Sequence, residues 1–176
     1  QAMRALVVER GMPTSAHACL RCDPARWPGH QYASPLLECS HEIDLLRYVL
    51  GGGLTFYGAN TSPSGATWDL ILQRDPTPVR IHLSMEAPGL YERWLALVWQ
   101  ERYAWWGWHA PAGVSRLVDL SGHEDVLDVT SLDTYRAELT AFLEDRWTGA
   151  TLEDGLAALR TCDRAQIFAN LAQPTA

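Results

Sequence analysis

Val79-Arg80-Ile81-His82-Leu83-Ser84-Met85 alternates without a break. Val79, Ile81, Leu83 and Met85 point one way, and Arg80, His82 and Ser84 the other. That period of two is what a strand with one buried face imposes. Outward from this stretch the pattern repeats. Strands are predicted over Leu54 to Ala59, Ala66 to Gln73, Val79 to Glu86, Arg93 to Gln100, Arg102 to Trp108 and Ser115 to Leu120. Turn signals separate them at Ser62-Pro63-Ser64-Gly65, Asp75-Pro76-Thr77-Pro78 and Ala87-Pro88-Gly89. Short sequential strands with turn-length links argue for an antiparallel sheet.

Both ends of the chain change character. Residues 3 to 10 read as a short helix stopped by Gly11 and Pro13, and Thr14 to Cys22 as a strand. Asp23 to His30 holds two prolines and a glycine and reads as an irregular loop. Ser34-Pro35 is an N-cap followed by a first-turn proline. The helix they open runs to about Leu50, where Gly51-Gly52-Gly53 ends it. Thr130-Ser131-Leu132-Asp133 and Thr151-Leu152-Glu153-Asp154 are capping-box-like starts. They open helices over Tyr135 to Trp147 and from Leu152 to about Leu171. The expected class is α+β: one domain over residues 1–176, a largely antiparallel sheet with helices packed on one face.

Composition narrows the function. The chain has 176 residues, 47% of them hydrophobic and 20% charged, which suits a single globular core. A net charge of -7 makes nucleic acid and anionic membrane poor partners. No apolar stretch reaches the ~20 residues of a membrane span, and the first ten residues lack a secretory pattern. Met3 behind Gln1-Ala2 reads as a native start. All 14 basic residues are arginine, so Schiff-base and P-loop lysines are excluded within these residues. Arginine without lysine, with abundant Ala, Gly and Pro, is the composition of a GC-rich bacterial gene.

Cys19-Leu20-Arg21-Cys22 is a lone C-x-x-C, with His17, His30, Cys39 and His41 as further candidate zinc ligands. In a strand, residues three apart face opposite ways. The expectation is therefore no metal, and reduced cysteines in a cytoplasmic protein. Asn60-Thr61-Ser62 fits a glycosylation sequon, but nothing else points to secretion.

Two stretches resemble a known family. Leu36-Leu37-Glu38-Cys39-Ser40-His41-Glu42-Ile43-Asp44-Leu45-Leu46-Arg47-Tyr48-Val49-Leu50-Gly51 resembles the signature helix of the Gfo/Idh/MocA oxidoreductases, in which H-x-I-D-L-L-R-x-L-x-G recurs. Tyr135-Arg136-Ala137-Glu138-Leu139 to Phe142-Leu143, then Thr151-Leu152-Glu153-Asp154-Gly155-Leu156-Ala157-Ala158-Leu159-Arg160, is similar to the family's closing pattern. The resemblance covers nearly the whole chain but only the family's C-terminal half. It implies a substrate-binding and dimerisation domain without the Rossmann domain, its glycine-rich turn or its E-K-P lysine. No G-x-G-x-x-G follows a strand here, and Gly51-Gly52-Gly53 comes after a helix. No cofactor is expected on these residues. The family's usual Asp is here Glu38, and its preceding glycine pair is Ala33-Ser34.

The site reading centres on Glu38 and His41. Three apart on a helix, they project from one face and form an acid–base pair able to take a proton from a hydroxyl or from carbon beside a carbonyl. Glu42 sits on the adjacent row, and its loss should matter less than that of Glu38 if it faces solvent. Arg26, Trp27, His30 and Tyr32 lie in the loop before the helix and are candidates to cap the cleft and bind substrate. Arg80 and His82 are candidates for a polar substrate-binding wall above the sheet. Asp44 and Arg47 read as a structural ion pair, with Glu138 and Asp133 as alternative partners. Trp94, Trp99, Trp105, Trp106 and Trp108 are expected to form a sheet-face homodimer interface. The first functional reading is a stand-alone enzyme doing cofactor-independent acid–base chemistry, of isomerase, epimerase, cyclase or lyase type, on a small hydroxylated or carbonyl-bearing molecule. The alternative is the substrate-binding half of a split NAD(P)-dependent oxidoreductase whose Rossmann half is another chain. A non-catalytic binding or scaffold protein is the third.

Overall fold

A computed structural model of the chain describes residues 2–23, 25, 35–100, 102–110, 114–118, 121–128, 140, 141, 143, 144 and 150–172. Helix α1 is Ala2–Arg10, strand β1 Ser15–Cys22 and helix α2 Pro35–Leu50. Then follow β2 Thr55–Thr61, β3 Thr67–Arg74, β4 Thr77–Ser84, β5 Tyr91–Trp99, β6 Arg102–Ala110, β7 Val114–Val118 and β8 Glu124–Asp128. Helix α3, Leu152–Ala172, closes the order.

The eight strands form one sheet in the order β2-β3-β4-β1-β5-β6-β7-β8. Every neighbouring pair is antiparallel except β1 with β4, where Ala18 lies opposite Ile81. The α+β class and the largely antiparallel sheet are as the sequence implies. Two features are not: the insertion of β1 at the sheet's centre, and strand β8. The helix expected over Tyr135 to Trp147 falls almost wholly outside the described residues.

Period two sorts the sheet's faces. Ala16, Ala18 and Leu20 of β1, Trp68, Leu70 and Leu72 of β3, Val79, Ile81 and Leu83 of β4, and Leu95 and Leu97 of β5 are buried together. They meet Leu36, Cys39, Ile43 and Leu46 of α2 and Ala158, Cys162 and Ala165 of α3. Small residues on α3 let it lie close to α2 and β2. Both helix ends are fixed by local chemistry. Gly51 and Gly52 adopt positive φ, and the Gly52 N–H returns to the Arg47 carbonyl at 2.6 Å, closing α2. Thr151 caps α3: the Asp154 N–H donates to its Oγ1 at 3.2 Å, and its own N–H donates to Asp154 Oδ2 at 3.0 Å.

The same alternation splits the tryptophans, which were expected to share one interface. Trp99 and Trp106 turn to the helix side and pack on the core. Trp94 and Trp105 fall on the open face, because neighbours in a strand point oppositely. The indole of Trp105 lies across Gly107, where no side chain fits. The side chain of Trp108 lies outside the described residues. No described helix is long and apolar enough to cross a membrane.

Candidate active site

Helix α2 presents Glu38, His41 and Glu42 where it passes over β1 and β5. His41 is exposed and Glu38 half-buried. Glu42 is 1% exposed, so the condition that it faces solvent is not met. The reason is helical phase: Cys39, Glu42, Ile43 and Leu46 form the row that α2 lays on the sheet. Opposite it, Tyr91, Arg93, Leu95 and Leu97 share the helix-facing side of β5. Arg93 Nε stands 2.6 Å from Glu42 Oε1. The contact is an ion pair between atoms closed to solvent. Burial pushes the Glu42 carboxyl up to about 7; Arg93 pulls against that shift, and Glu38 adds to it. Burial also raises the Tyr91 phenol, again opposed by Arg93.

Two cavities meet at this point. The inner one, about 270 Å³, is lined by Leu20, Cys22, Glu38, His41, Glu42, Met85, Tyr91 and Arg93. The outer one, about 710 Å³, includes Arg4, His41, Asp44, Arg47, Tyr48, Arg93 and Asp154. Among the described residues, His41 and Arg93 line both. The outer wall is built from ion pairs and stacking. Arg47 bonds Asp154 at 3.2 Å, and the Arg4 guanidinium lies 4.7 Å from the Tyr48 ring centre. The Arg47 partner is thus Asp154, because the cap of α3 packs beside α2; the alternatives Glu138 and Asp133 lie outside the described residues. Hydrogen bonds from Thr151, then from Arg47, hold the Asp154 carboxyl down to about 2.

The structure brings Glu38 and His41 together on one cavity wall. It does not bring Arg80 and His82 to them. Those two sit on the opposite, open face of the sheet, where His82 Nδ1 is 2.8 Å from Asp69 Oδ1. There they line a separate cavity of about 360 Å³ with His17, Asn60 and Trp94. The alternation that made Arg80 and His82 look like a polar wall is the reason they face away from α2. Arg26, Trp27, His30 and Tyr32 lie outside the described residues. Glu42, Arg93 and Tyr91 are the site residues that sequence reading missed. Cys19 and Cys22 point to opposite sides of β1, Cys22 with its thiol 2.8 Å from Met85 Sδ.

Solved structures of known proteins match this architecture. UDP-N-acetylglucosamine 3-dehydrogenase GnnA from Acidithiobacillus ferrooxidans superposes with a TM-score of 0.71 at 14% identity, over 96% of this chain and 58% of its own. Scyllo-inositol dehydrogenase from Lactobacillus casei gives 0.69 at 16%, over 97% and 58%. An inositol dehydrogenase homologue from Azotobacter vinelandii gives 0.63 at 12%, over 97% and 59%. The chain has the fold of Gfo/Idh/MocA-type oxidoreductases. It spans less than two thirds of their length, as their C-terminal domain alone would. No protein-family model and no curated protein matches the sequence.

The Lactobacillus casei structure holds NAD(H) and the Azotobacter vinelandii one NADH, and the residues here can be compared with what such a cofactor requires. A dinucleotide pyrophosphate needs backbone N–H groups at a helix N-terminus. The glycine run Gly51-Gly52-Gly53 stands instead at the C-terminus of α2, where the Gly52 N–H is already bonded to Arg47 and the helix dipole is negative. Gly51-Gly52-Gly53 therefore offers no cradle for a pyrophosphate.

Proposed function

We propose that this chain is the substrate-binding half of an NAD(P)-dependent oxidoreductase acting on a small polyhydroxylated or carbonyl-bearing molecule, with the dinucleotide held by a Rossmann half outside these residues. The observation that carries the reading is the position of His41: exposed, and shared by an inner and an outer cavity. A base placed there reaches a substrate hydroxyl from the chain's own side and leaves the other side open to a second body. In the oxidation direction His41 would take the hydroxyl proton, and in reduction return it. Glu38 on the same helix face would orient the ring or hold a neighbouring hydroxyl. The open sheet face, with Trp94 and Trp105, is assigned to a second copy of the chain.

Cofactor-independent isomerase, epimerase, cyclase or lyase chemistry is the weaker reading. The proteins of like fold are named as dehydrogenases, and none of the names points to those reactions. The test separates the two. The chain alone is incubated in D₂O with polyhydroxy ketones and followed by proton NMR; no exchange beside the carbonyl is expected. The chain supplied with a Rossmann half, from a neighbouring gene or a longer product of its own gene, is expected to reduce NAD(P) with a polyol or nucleotide sugar, and His41→Ala to lose that activity. Exchange catalysed by the chain alone would overturn the proposal in favour of the stand-alone enzyme.

A further inference from the structure

We propose that Arg93 is a specificity-determining residue whose Nη1 and Nη2 donate to two adjacent hydroxyl oxygens of the ligand beside His41, and that Glu42 positions it by holding Nε. It rests on the reading above only for the ligand being polyhydroxylated.

The two ends of the Arg93 guanidinium have different surroundings. Nε stands 2.6 Å from Glu42 Oε1, and both atoms are closed to solvent. The side chain as a whole is 28% exposed, and the Nη atoms are not among the polar atoms left closed and unpaired. A guanidinium is planar and carries its five N–H donors in a fixed fork. With Nε set against Glu42, the plane of the group is fixed, and the four donors on Nη1 and Nη2 are left for the cavities. Arg93 lines both cavities, and among the described residues only His41 does so too. The fork and the base therefore border the same opening.

A fork of this kind matches paired oxygens: a carboxylate, a phosphate or two adjacent hydroxyls. Charge selects among them. Arg4, Arg47 and Arg93 line the two cavities, and so do Glu38, Glu42, Asp44 and Asp154. Three cations among four carboxyl groups leave no surplus of positive charge for an anion, and Glu38 shares the inner cavity with Arg93. Hydroxyl oxygens accept from the guanidinium without that repulsion. Leu20 and Met85 give the C–H edges of a polyol ring an apolar surface to lie on. With about 270 Å³ on one side of Arg93 and about 710 Å³ on the other, such a ring has room to turn two oxygens toward it. A single hydroxyl uses half of the fork, so the geometry selects for the adjacent pair.

Phenylglyoxal, which condenses with the Nη nitrogens of arginine, tests this on the 176-residue chain, with the modified residues mapped by peptide mass spectrometry. Arg93 should be modified in the folded chain. Scyllo-inositol at millimolar concentration should slow that reaction threefold or more, since the factor 1 + [L]/Kd reaches about 3 at twice the dissociation constant. Cyclohexanol, a ring of the same size with one hydroxyl, should not slow it. Arg10, paired with Glu9 on the surface, should react at one rate throughout. Arg93→Lys keeps the charge without the fork and should weaken scyllo-inositol binding about tenfold or more in calorimetry. In Glu42→Gln, Arg93 should react faster and lose its protection while Arg10 is unaffected; protection equal to that of the wild type would overturn the positioning role. The proposal is overturned if Arg93 stays unmodified in the folded chain, if scyllo-inositol gives no protection, if cyclohexanol protects equally, or if folded Arg93→Lys binds as well. Protection of Arg93 in a chain that never supports NAD(P) turnover with a Rossmann half would sink the oxidoreductase reading and leave the Arg93 contact standing.

Discussion

Glu42→Gln should flatten part of the protein's stability–pH curve. The carboxyl is raised from 4.5 to about 7 in the folded chain, chiefly by burial, with Arg93 opposing. The fold therefore prefers the protonated acid. That preference is fully present below about pH 4.5 and is lost as pH rises through 7, since between those values the native state binds more protons than the unfolded one. At about 1.4 kcal/mol per pH unit, the interval of 2.5 units corresponds to about 3–4 kcal/mol lost across the whole window. His17, lowered by burial and by Arg80, has the opposite sign, and Asp44, raised by burial, the same sign as Glu42. Both are common to the wild type and the variant, so they cancel in the difference. Urea unfolding at half-unit steps from pH 5 to pH 8, fitted with a common m-value, measures it. Wild-type stability should fall relative to Glu42→Gln by about 2–3 kcal/mol over that range, most steeply between pH 5 and 7. Two curves parallel within about 0.5 kcal/mol would refute the assignment of a proton to this buried acid.

His41→Ala should lower kcat/KM of the assembled enzyme by about 10²–10⁴-fold with an unchanged circular dichroism spectrum, and Glu38→Gln should cost less. The isolated chain should give no saturable heat with NADH or NADPH in calorimetry; a micromolar dissociation constant for either would require a dinucleotide cradle within these residues. Ile43, 0% exposed between α2 and the sheet, should cost about 2–5 kcal/mol when cut to alanine, read as a shift in urea midpoint. The chain should sediment as a dimer at micromolar concentration, and Ile71→Asp on the open face, where Ile71 is 41% exposed, should shift it toward monomer.

What was legible in the sequence was periodic. Val79 to Met85 declares its two faces because one of them must be apolar, and the structure keeps Val79, Ile81 and Leu83 inside and Arg80 and His82 outside. The helix ends at Pro35, Gly51 and Thr151 were legible for a similar reason: the proline removes an orphan N–H, and the other two satisfy backbone groups within a few residues. The central position of β1 was not, since its partners β4 and β5 come long after it in the chain and a parallel neighbour needs a crossover that no local pattern announces. Strand β8 gave too weak an alternation in Glu124–Asp128.

The candidate site divides along the same line. Glu38 and His41 share a helix face, and spacing alone puts them together. Glu42 and Arg93 are far apart in sequence, and each looks like a surface charge when read by itself. Yet each breaks an otherwise apolar row, Glu42 between Cys39 and Leu46 on α2, and Arg93 beside Leu95 and Leu97 on β5. A charge of either sign in a buried row needs a partner in the row that packs against it. Here the packing of α2 on β5 brings the acid and the base within 2.6 Å. Their pairing also accounts for a cavity beside them, because an ion pair in a core admits polar contents that leucines in the same places would exclude.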